Sequence, residues 1–554
     1  MNPFVWMADD PLRYAVLRDA LLATLAAVAV WGSVSRWADE RLSRRAWTAA
    51  FFALAAAALF AARWPTLFVR DPLNQDEAQA LAQAITALHD PVPWLGFDGN
   101  TCGPLNTYVL MLPALLGLHL TFLGARVVAL ALELGAIGSL YACAALCFDA
   151  ALARVAILPP IAFFALARED HFVHYSGEHL SIFLGMLALA VLCVAIRQHG
   201  ATRFLFLTGV AAGMMPFAKL QSLPLAGLTV AAAAAGIVAA SPDGIRGRVL
   251  RLGGLGAGLM VAPVLILSWA AVGGSLHDFW VSYILTSRAY ILYRYEPLSF
   301  LTATPGFGRL FDTLLAVAAL GAVVLAVSYR RISSLGRAAF AGSLVVLAGA
   351  VWAIEAPRRG SLNYLLFAVL PAATAAAAGL GLAFAGLRAR RPGSARGAVT
   401  IAFVLATVAA AYPLGSGSYP YLGSVGDYFY GATDPVSALI AAHVHPGERL
   451  AIWGWRPKYF VTTQTLLGTR DAISQYQYSE NYNPYVAYFR DRYVGDLERL
   501  RPRGFLDAGS DSFDFDGKGR FGYETFPELA RIIDRDYRLA GRANGIRLFV
   551  RRVL

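Results

Sequence analysis

Two acidic stretches carry the side chains best suited to chemistry. The first is Asp71–Ala80, in which Asp76 and Glu77 follow an apolar run at about 46–68. Asn74, with Glu77 three residues on, predicts a helix start of capping-box type. Asp76 then falls in the first turn, where the helix dipole favours the ionised carboxylate. A carboxylate at the mouth of a membrane cavity can accept a proton from a hydroxyl or ligate a metal ion. The second stretch is Arg168–His179. Asp170, His174 and Glu178 recur at i, i+4 and i+8, and His171 lies seven before Glu178. A continuous helix would put these on roughly one face. Brought together, Asp76 and Glu178 would suit a base assisted by a second acid. The sequence specifies no cofactor. A divalent metal ion would suit these residue types, but no spacing here is diagnostic of a metal site.

The basic candidates are Lys219, Arg288, Arg358 and Arg359. Lys219 falls between Pro216 and Pro224, at a break in an apolar segment, where a buried ammonium needs an anion. Phosphate is a natural partner, and the arginine fork matches its geometry. Tyr364, after Asn363, could line the same cavity. Plainer alternatives exist for each: a solvated helix end, a wetted turn, lipid headgroup contact, an interfacial aromatic anchor.

These residues need a membrane scaffold to position them. The chain has 554 residues, 57% of them hydrophobic and only 15% charged, against about 25% charged in soluble domains. Mean hydropathy is +0.53. Before residue 415, apolar runs of membrane-crossing length recur, separated by short basic loops. The pattern predicts a mainly α, polytopic bundle of about 11–13 helices, with residues 1–418 as the membrane domain and 69–104 as a long external loop. The start of the chain lacks the basic flank and cleavage site of a secretion signal. The run at 105–122 contains Pro113, Gly117 and His119 and reads as re-entrant. Ala80, Leu81, Ala84, Ile85 and Leu88 predict an amphipathic helix lying outside the membrane. Residues 419–554 are rich in Tyr, Asp and Arg, with strand-like runs at 449–453 and 546–551, and predict a small external α/β domain.

The net charge of +11 is uneven. Residues 420–554 hold 18 Lys and Arg against 16 Asp and Glu, so +9 belongs to the membrane part. No basic-aromatic face is built, which excludes nucleic acid as a partner. The four cysteines are too few and scattered for a disulfide framework. Cys143 and Cys147, one turn apart, read as packing residues.

Several local matches carry a resemblance to the GT-C superfamily of integral-membrane glycosyltransferases, in particular the lipid A aminoarabinose transferase and protein O-mannosyltransferase group. Gln75-Asp76-Glu77-Ala78 resembles the acidic signature of that family's first external loop. His89–Trp94 and Gly103–Tyr108 resemble its "GDW … KPPLYYW" stretch. Glu178–Leu184, Gly213–Lys219 and Asn363–Pro371 resemble three further segments, and Trp453–Pro457 with Gly468–Arg470 resembles a turn in external tails of related bacterial proteins. Two departures stand out. Glu178 replaces the usual Asp, and Cys102-Gly103 replace the Lys before Pro104, which shifts a phosphate-binding role onto Lys219, Arg358 and Arg359.

The resemblance implies a GT-C bundle with a periplasmic C-terminal domain in the bacterial inner membrane. It implies transfer of a sugar from a polyprenyl-phosphate donor to a periplasmic glycan, lipopolysaccharide or lipid acceptor, inverting, with Asp76 as base and Glu178 orienting. Glu77, Lys219, Arg288, Arg358, Arg359, Tyr364, His171 and His174 would bind substrate, and membrane lipids would surround the bundle. A transporter or flippase of lipid-linked sugars, and an oligosaccharide ligase or polymerase, are the alternatives.

Overall fold

The computed structural model describes residues 2–552 except 35–43, 241–243, 293–305, 356, 358–360, 389–393, 418, 479–482 and 510–521. Arg358 and Arg359 lie outside the described residues. Among those described, ten helices are long and apolar enough to cross a membrane, and shorter apolar helices cover Pro104–Leu115, Ala150–Leu166 and Thr202–Ala218. The fold is a polytopic helical bundle with a small C-terminal sheet.

The helices have two kinds of end. One end carries the loops 69–104, 167–176 and 273–292 and the sheet domain. The other carries Arg197, Arg203, Arg251, Arg330, Arg331 and Arg396. The run at 105–122 does not cross between them. It forms two short helices, Pro104–Leu110 and Leu112–Leu115. Twelve residues of helix rise only about 18 Å, short of the roughly 30 Å hydrocarbon core. The next two segments, Phe122–Cys147 and Ala150–Leu166, go down and back. The two acidic stretches therefore share one end.

The segment 168–179 departs from the single predicted helix. Asp170–Val173 is one turn, His174 is extended (φ −81°, ψ 163°), and a new helix starts at Gly177. The common face of Asp170, His174 and Glu178 does not form, because Ser176 and His179 cap the second helix as a box.

The Gln75–Ala87 helix also differs from expectation. Leu88 is exposed, while Ala78, Ala82 and Ala87 are buried along with Ala80, Leu81, Ala84 and Ile85. Ala80, Leu81, Ala84 and Ile85 pack into the bundle core, whereas Ala82 and Ala87 pack under the sheet domain. The helix is enclosed on both sides because a second layer covers the face the periodicity leaves polar or small.

That layer is a five-stranded sheet. β1 (Arg449–Trp453), β2 (Leu466–Leu467) and β3 (Gly504–Asp507) are parallel, with β1 in the middle. β5 (Ile546–Arg551) pairs antiparallel with β3, and β4 (Tyr537–Ala543) with β5. Alternation along β1 sends Leu450 and Ile452 to the bundle side and Ala451 and Trp453 to the outer side. The Pro527–Asp536 helix covers the outer side with Leu529 and Ile533.

Within the bundle, helices 202–218 and 244–272 meet at backbone contact. A Cβ on Gly258 would lie 2.0 Å from the Phe206 carbonyl oxygen, whereas one on Gly256 would meet nothing within 4 Å. Small residues at such crossings allow dispersion contacts that lipid cannot better. Gly258→Val should lower the thermal unfolding midpoint in detergent by the equivalent of at least about 1–3 kcal/mol. Gly256→Val is the control; equal losses in the two variants would remove close packing as the cause.

Candidate active site

A cavity of about 300 Å³ opens where the two acidic stretches, the Lys219 break and the sheet domain meet. Asp76, His171, Lys219 and Tyr364 line it. So do Trp455 and Tyr476, contributed by the sheet domain.

Asp76 is exposed in the first turn of its helix. Asn74 caps that turn, its Oδ1 accepting from Asp76 N–H at 3.0 Å. Glu77 points the other way and is fully buried. Arg126 Nε and Nη2 donate to its two oxygens at 3.0 and 2.8 Å. The remaining Arg126 donors reach the carbonyls of Thr66, Val69 and Asp71. All five N–H groups of the guanidinium are thereby satisfied. Glu77 also accepts from the backbone N–H of Tyr175 and of Leu73, each at 3.2 Å. Sequence assigned Glu77 to substrate. The structure gives it an internal ion pair and no place on the cavity wall.

Lys219 is extended (φ −151°, ψ 123°) between the helices 202–218 and 223–240. Its ammonium donates to Glu178 Oε1, which also accepts from Asn363 Nδ2 at 2.9 Å. It sits 5.1 Å from the centre of the Tyr364 ring. Glu178 is fully buried behind it, and Asp76 and Glu178 both lie within Coulombic reach of Lys219 and Cys102. Burial pushes the Cys102 thiol up to about 11, so it stays neutral near pH 7. Cys102 pairs with Lys219 as an isolated antiparallel bridge, and Gly103 N–H donates to Ala218 O at 2.9 Å. A Cβ on Gly103 would sit 2.0 Å from the Phe217 carbonyl oxygen, so this seam requires glycine.

His171 faces the cavity. His174 does not: it is fully buried, its Nδ1 lies 2.8 Å from Asp170 O, and burial holds it below the usual histidine range. Arg288 is exposed and not on the cavity wall. Among the described residues, no three His, Cys, Asp or Glu side chains group as a metal site.

Sequence reading missed the ionisable residues inside apolar runs. Arg126 anchors Glu77. Arg63 and Glu133 form a second buried network with His179, Glu133 Oε1 lying 3.4 Å from Arg63 Nη1 and 3.1 Å from His179 Nε2. Charge at membrane depth is the signal that could have found them. It also missed the seam holding the sheet domain down. Arg492 pairs with Asp98 (2.7 Å) and Asp471, and Arg470 pairs with Asp496 (2.9 Å) and Asp278 (2.9 Å). Asp98 and Asp278 belong to the membrane part, the other four to the domain.

Neither a protein-family model nor a curated protein matches the sequence. Solved structures do match. The ArnT of Cupriavidus metallidurans, solved bound to undecaprenyl phosphate, superposes at TM-score 0.55 with 14% identity, over 92% of this chain and 98% of that one. This chain has the GT-C fold. The archaeal oligosaccharyltransferases of Archaeoglobus fulgidus are more remote: the apo form gives TM-score 0.47 at 14% identity over 84% of this chain and 70% of that one. AglB with an inhibitory peptide and dolichol-phosphate gives 0.46 at 12% over 85% and 70%. At that distance the archaeal pair carries no weight here.

Two outcomes test the geometry. Arg126→Ala leaves Glu77 buried without a counter-charge and should cost about 3–5 kcal/mol, read as a fall in the unfolding midpoint. Arg126→Lys keeps the charge with two fewer donors and should fall between; a wild-type midpoint for it would dismiss the fork geometry. At the seam, burial pushes the Asp471 carboxyl up to about 7, against the pull of Arg492 and with the push of Asp98 and Asp496. A raised carboxyl means the folded state holds the proton more tightly than the unfolded chain, so stability is lost as pH rises through about 7. The unfolding midpoint should fall as pH rises from about 4 to about 7 and level off above that, and Asp471→Asn should flatten that slope. An unchanged slope in the variant would assign the pH dependence elsewhere.

Proposed function

We propose that this protein is a membrane glycosyltransferase that moves a sugar from a polyprenyl-phosphate donor to a glycan, lipopolysaccharide or lipid acceptor, with inversion. The observation that carries the reading is Asp76. It is an exposed carboxylate fixed on a capped helix turn, facing a polar cavity at the end of a membrane bundle, with a cation on the same wall. Asp76 takes the proton from the acceptor hydroxyl as that oxygen attacks the anomeric carbon. A single base and in-line displacement give inversion.

The leaving phosphate gathers negative charge as the bond breaks and needs fixed cations. Lys219 faces the cavity with three donors, one of which Glu178 takes. Glu178 and Asn363 are positioning residues that hold the ammonium in place. Arg358 and Arg359 would add positive charge; they stand just before Ser361, which lines the cavity. His171 and Tyr364 would contact the transferred sugar. Arg288, Glu77 and His174 carry no part of this reading, being exposed elsewhere or enclosed. The isoprenoid tail would lie between helices. Arginines gathered at the opposite end favour a cytoplasmic location for that end, and hence a bacterial inner-membrane protein with its site in the periplasm. The ArnT similar in fold was solved with undecaprenyl phosphate, which supports a lipid-phosphate donor.

Asp76→Asn should lower transfer from a polyprenyl-phosphate sugar by about 10²–10⁴-fold, with donor affinity and unfolding midpoint unchanged. Product mass reads the transfer and separates it from transport, which alters no mass. Undiminished transfer in Asp76→Asn would remove the base from the mechanism.

A further inference from the structure

The cavity wall supplied by the sheet domain has no role in the proton and phosphate steps above. Trp455, Ile473, Gln475 and Tyr476 form it. Its place in the sheet is informative. β1 is flanked by β2 on one side and β3 on the other, all parallel, so the chain reverses its winding direction at β1. In parallel sheets, ligands lodge beyond the carboxyl ends of strands at such a reversal. Trp455 lies two residues beyond the end of β1, and the 473–476 segment follows β2.

The two segments are tied into one surface. Gly454 N–H donates to Ser474 Oγ at 2.6 Å, and Ser474 N–H donates to Gly454 O at 3.2 Å. Gly454 has φ 133°, and a Cβ there would lie 2.8 Å from the Ala508 carbonyl oxygen, so the turn that presents Trp455 needs glycine. The 473–476 segment continues directly from the Arg470–Asp471 seam, which locks it over the cavity.

The chemistry of the lining selects the ligand. Trp455 and Tyr476 line the cavity together with the amide side chains of Asn74, Gln79 and Gln475. Amides both donate and accept hydrogen bonds, as sugar hydroxyls do. The charged groups on the described lining are Asp76 and Lys219, and Lys219 is paired with Glu178. Among the described residues, the part of the wall that the sheet domain supplies, Trp455, Ile473, Gln475 and Tyr476, brings no cation to meet a carboxylate held against Trp455. We propose that Trp455 and Tyr476, with Gln475, form a stacking subsite for a neutral pyranose ring, and that the sheet domain thereby selects an uncharged glycan as the acceptor. This rests on the transferase reading for the word acceptor, and on the wall alone for the sugar.

The test uses full-length protein in detergent and saturation-transfer NMR with two probes, methyl α-glucopyranoside and its uronic acid counterpart. The neutral glycoside should bind and the uronate should bind less. Trp455→Leu, which keeps apolar bulk without the aromatic face, should weaken the neutral glycoside about tenfold, and Trp455→Phe should restore most of it. Tyr476→Leu repeats the measurement should Trp455→Leu misfold. Neutral binding unchanged in the Leu variants, or uronate binding equal to neutral, would overturn the subsite. The two readings fail separately. Trp455-dependent glycoside binding without any sugar transfer would sink the transferase and keep the subsite. Transfer with an unchanged acceptor KM in Trp455→Leu would sink the subsite and keep the transferase.

Discussion

The position of the cavity carboxylate depends on an ion pair that never meets solvent. Arg126 and Glu77 bring one positive and one negative charge into the bundle interior, and neither is tolerable there alone. What makes the pair acceptable is complete hydrogen bonding: five donors find five acceptors, and the carboxylate takes two backbone N–H groups besides. The acceptors come from the end of the 44–67 helix, the turn at 69–73 and the 75–87 helix, and the 168–179 stretch adds the Tyr175 N–H as a donor to Glu77. The pair thus fixes four segments relative to one another. Asp76, next in sequence to Glu77, is turned outward by about 100° of helix and has its direction set by its neighbour's burial.

The same logic repeats at Lys219. Proline breaks the apolar segment, the backbone stays extended for a residue, and the freed polar groups are taken up by the loop at Cys102–Gly103. The ammonium is retained because Glu178 meets it, and Asn363 donates to the same carboxylate oxygen and holds it there. The loop at 88–104 therefore has two seams. One joins the helix break, and the other joins Asp98 to Arg492 and Asp471 of the sheet domain. The roof of the cavity and its floor are stitched to a common strip of chain, so the sheet domain belongs to the site and is more than an appendage.

Much of this was legible beforehand. Apolar runs bounded by arginines give the helices, because a bilayer demands about 20 apolar residues per crossing and basic loops resist translocation. Pro216 and Pro224 mark the break at Lys219, since proline removes a helix hydrogen bond. Asn74 marks the helix start, although Glu77 turns to Arg126 and does not close the expected capping box, and alternation marks β1 and β5. The cavity residues Asp76, His171, Lys219 and Tyr364 were all named from types and neighbours; Glu178 and His174 were named too, but as a partner of Asp76 and a substrate contact, and their burial and the Glu178–Lys219 pair came only from the fold.

What the chain alone could not settle was which of two adjacent carboxylates would face water. Asp76 and Glu77 are equivalent by local rules, both acidic and both in a first turn. Only Arg126, some fifty residues on and inside an apolar run, breaks the tie, and that partnership is a long-range contact with no local trace. The one-face reading of Asp170, His174 and Glu178 fails for a related reason: capping at Ser176 restarts the helix, so spacing across Gly177 no longer measures angle. The sequence by itself determined the layers, the breaks and the chemical types available. The tertiary structure decided which charges are spent on holding the bundle together and which remain to meet a substrate, because a buried charge is stable only where distant segments deliver its counter-charge and fill its hydrogen bonds.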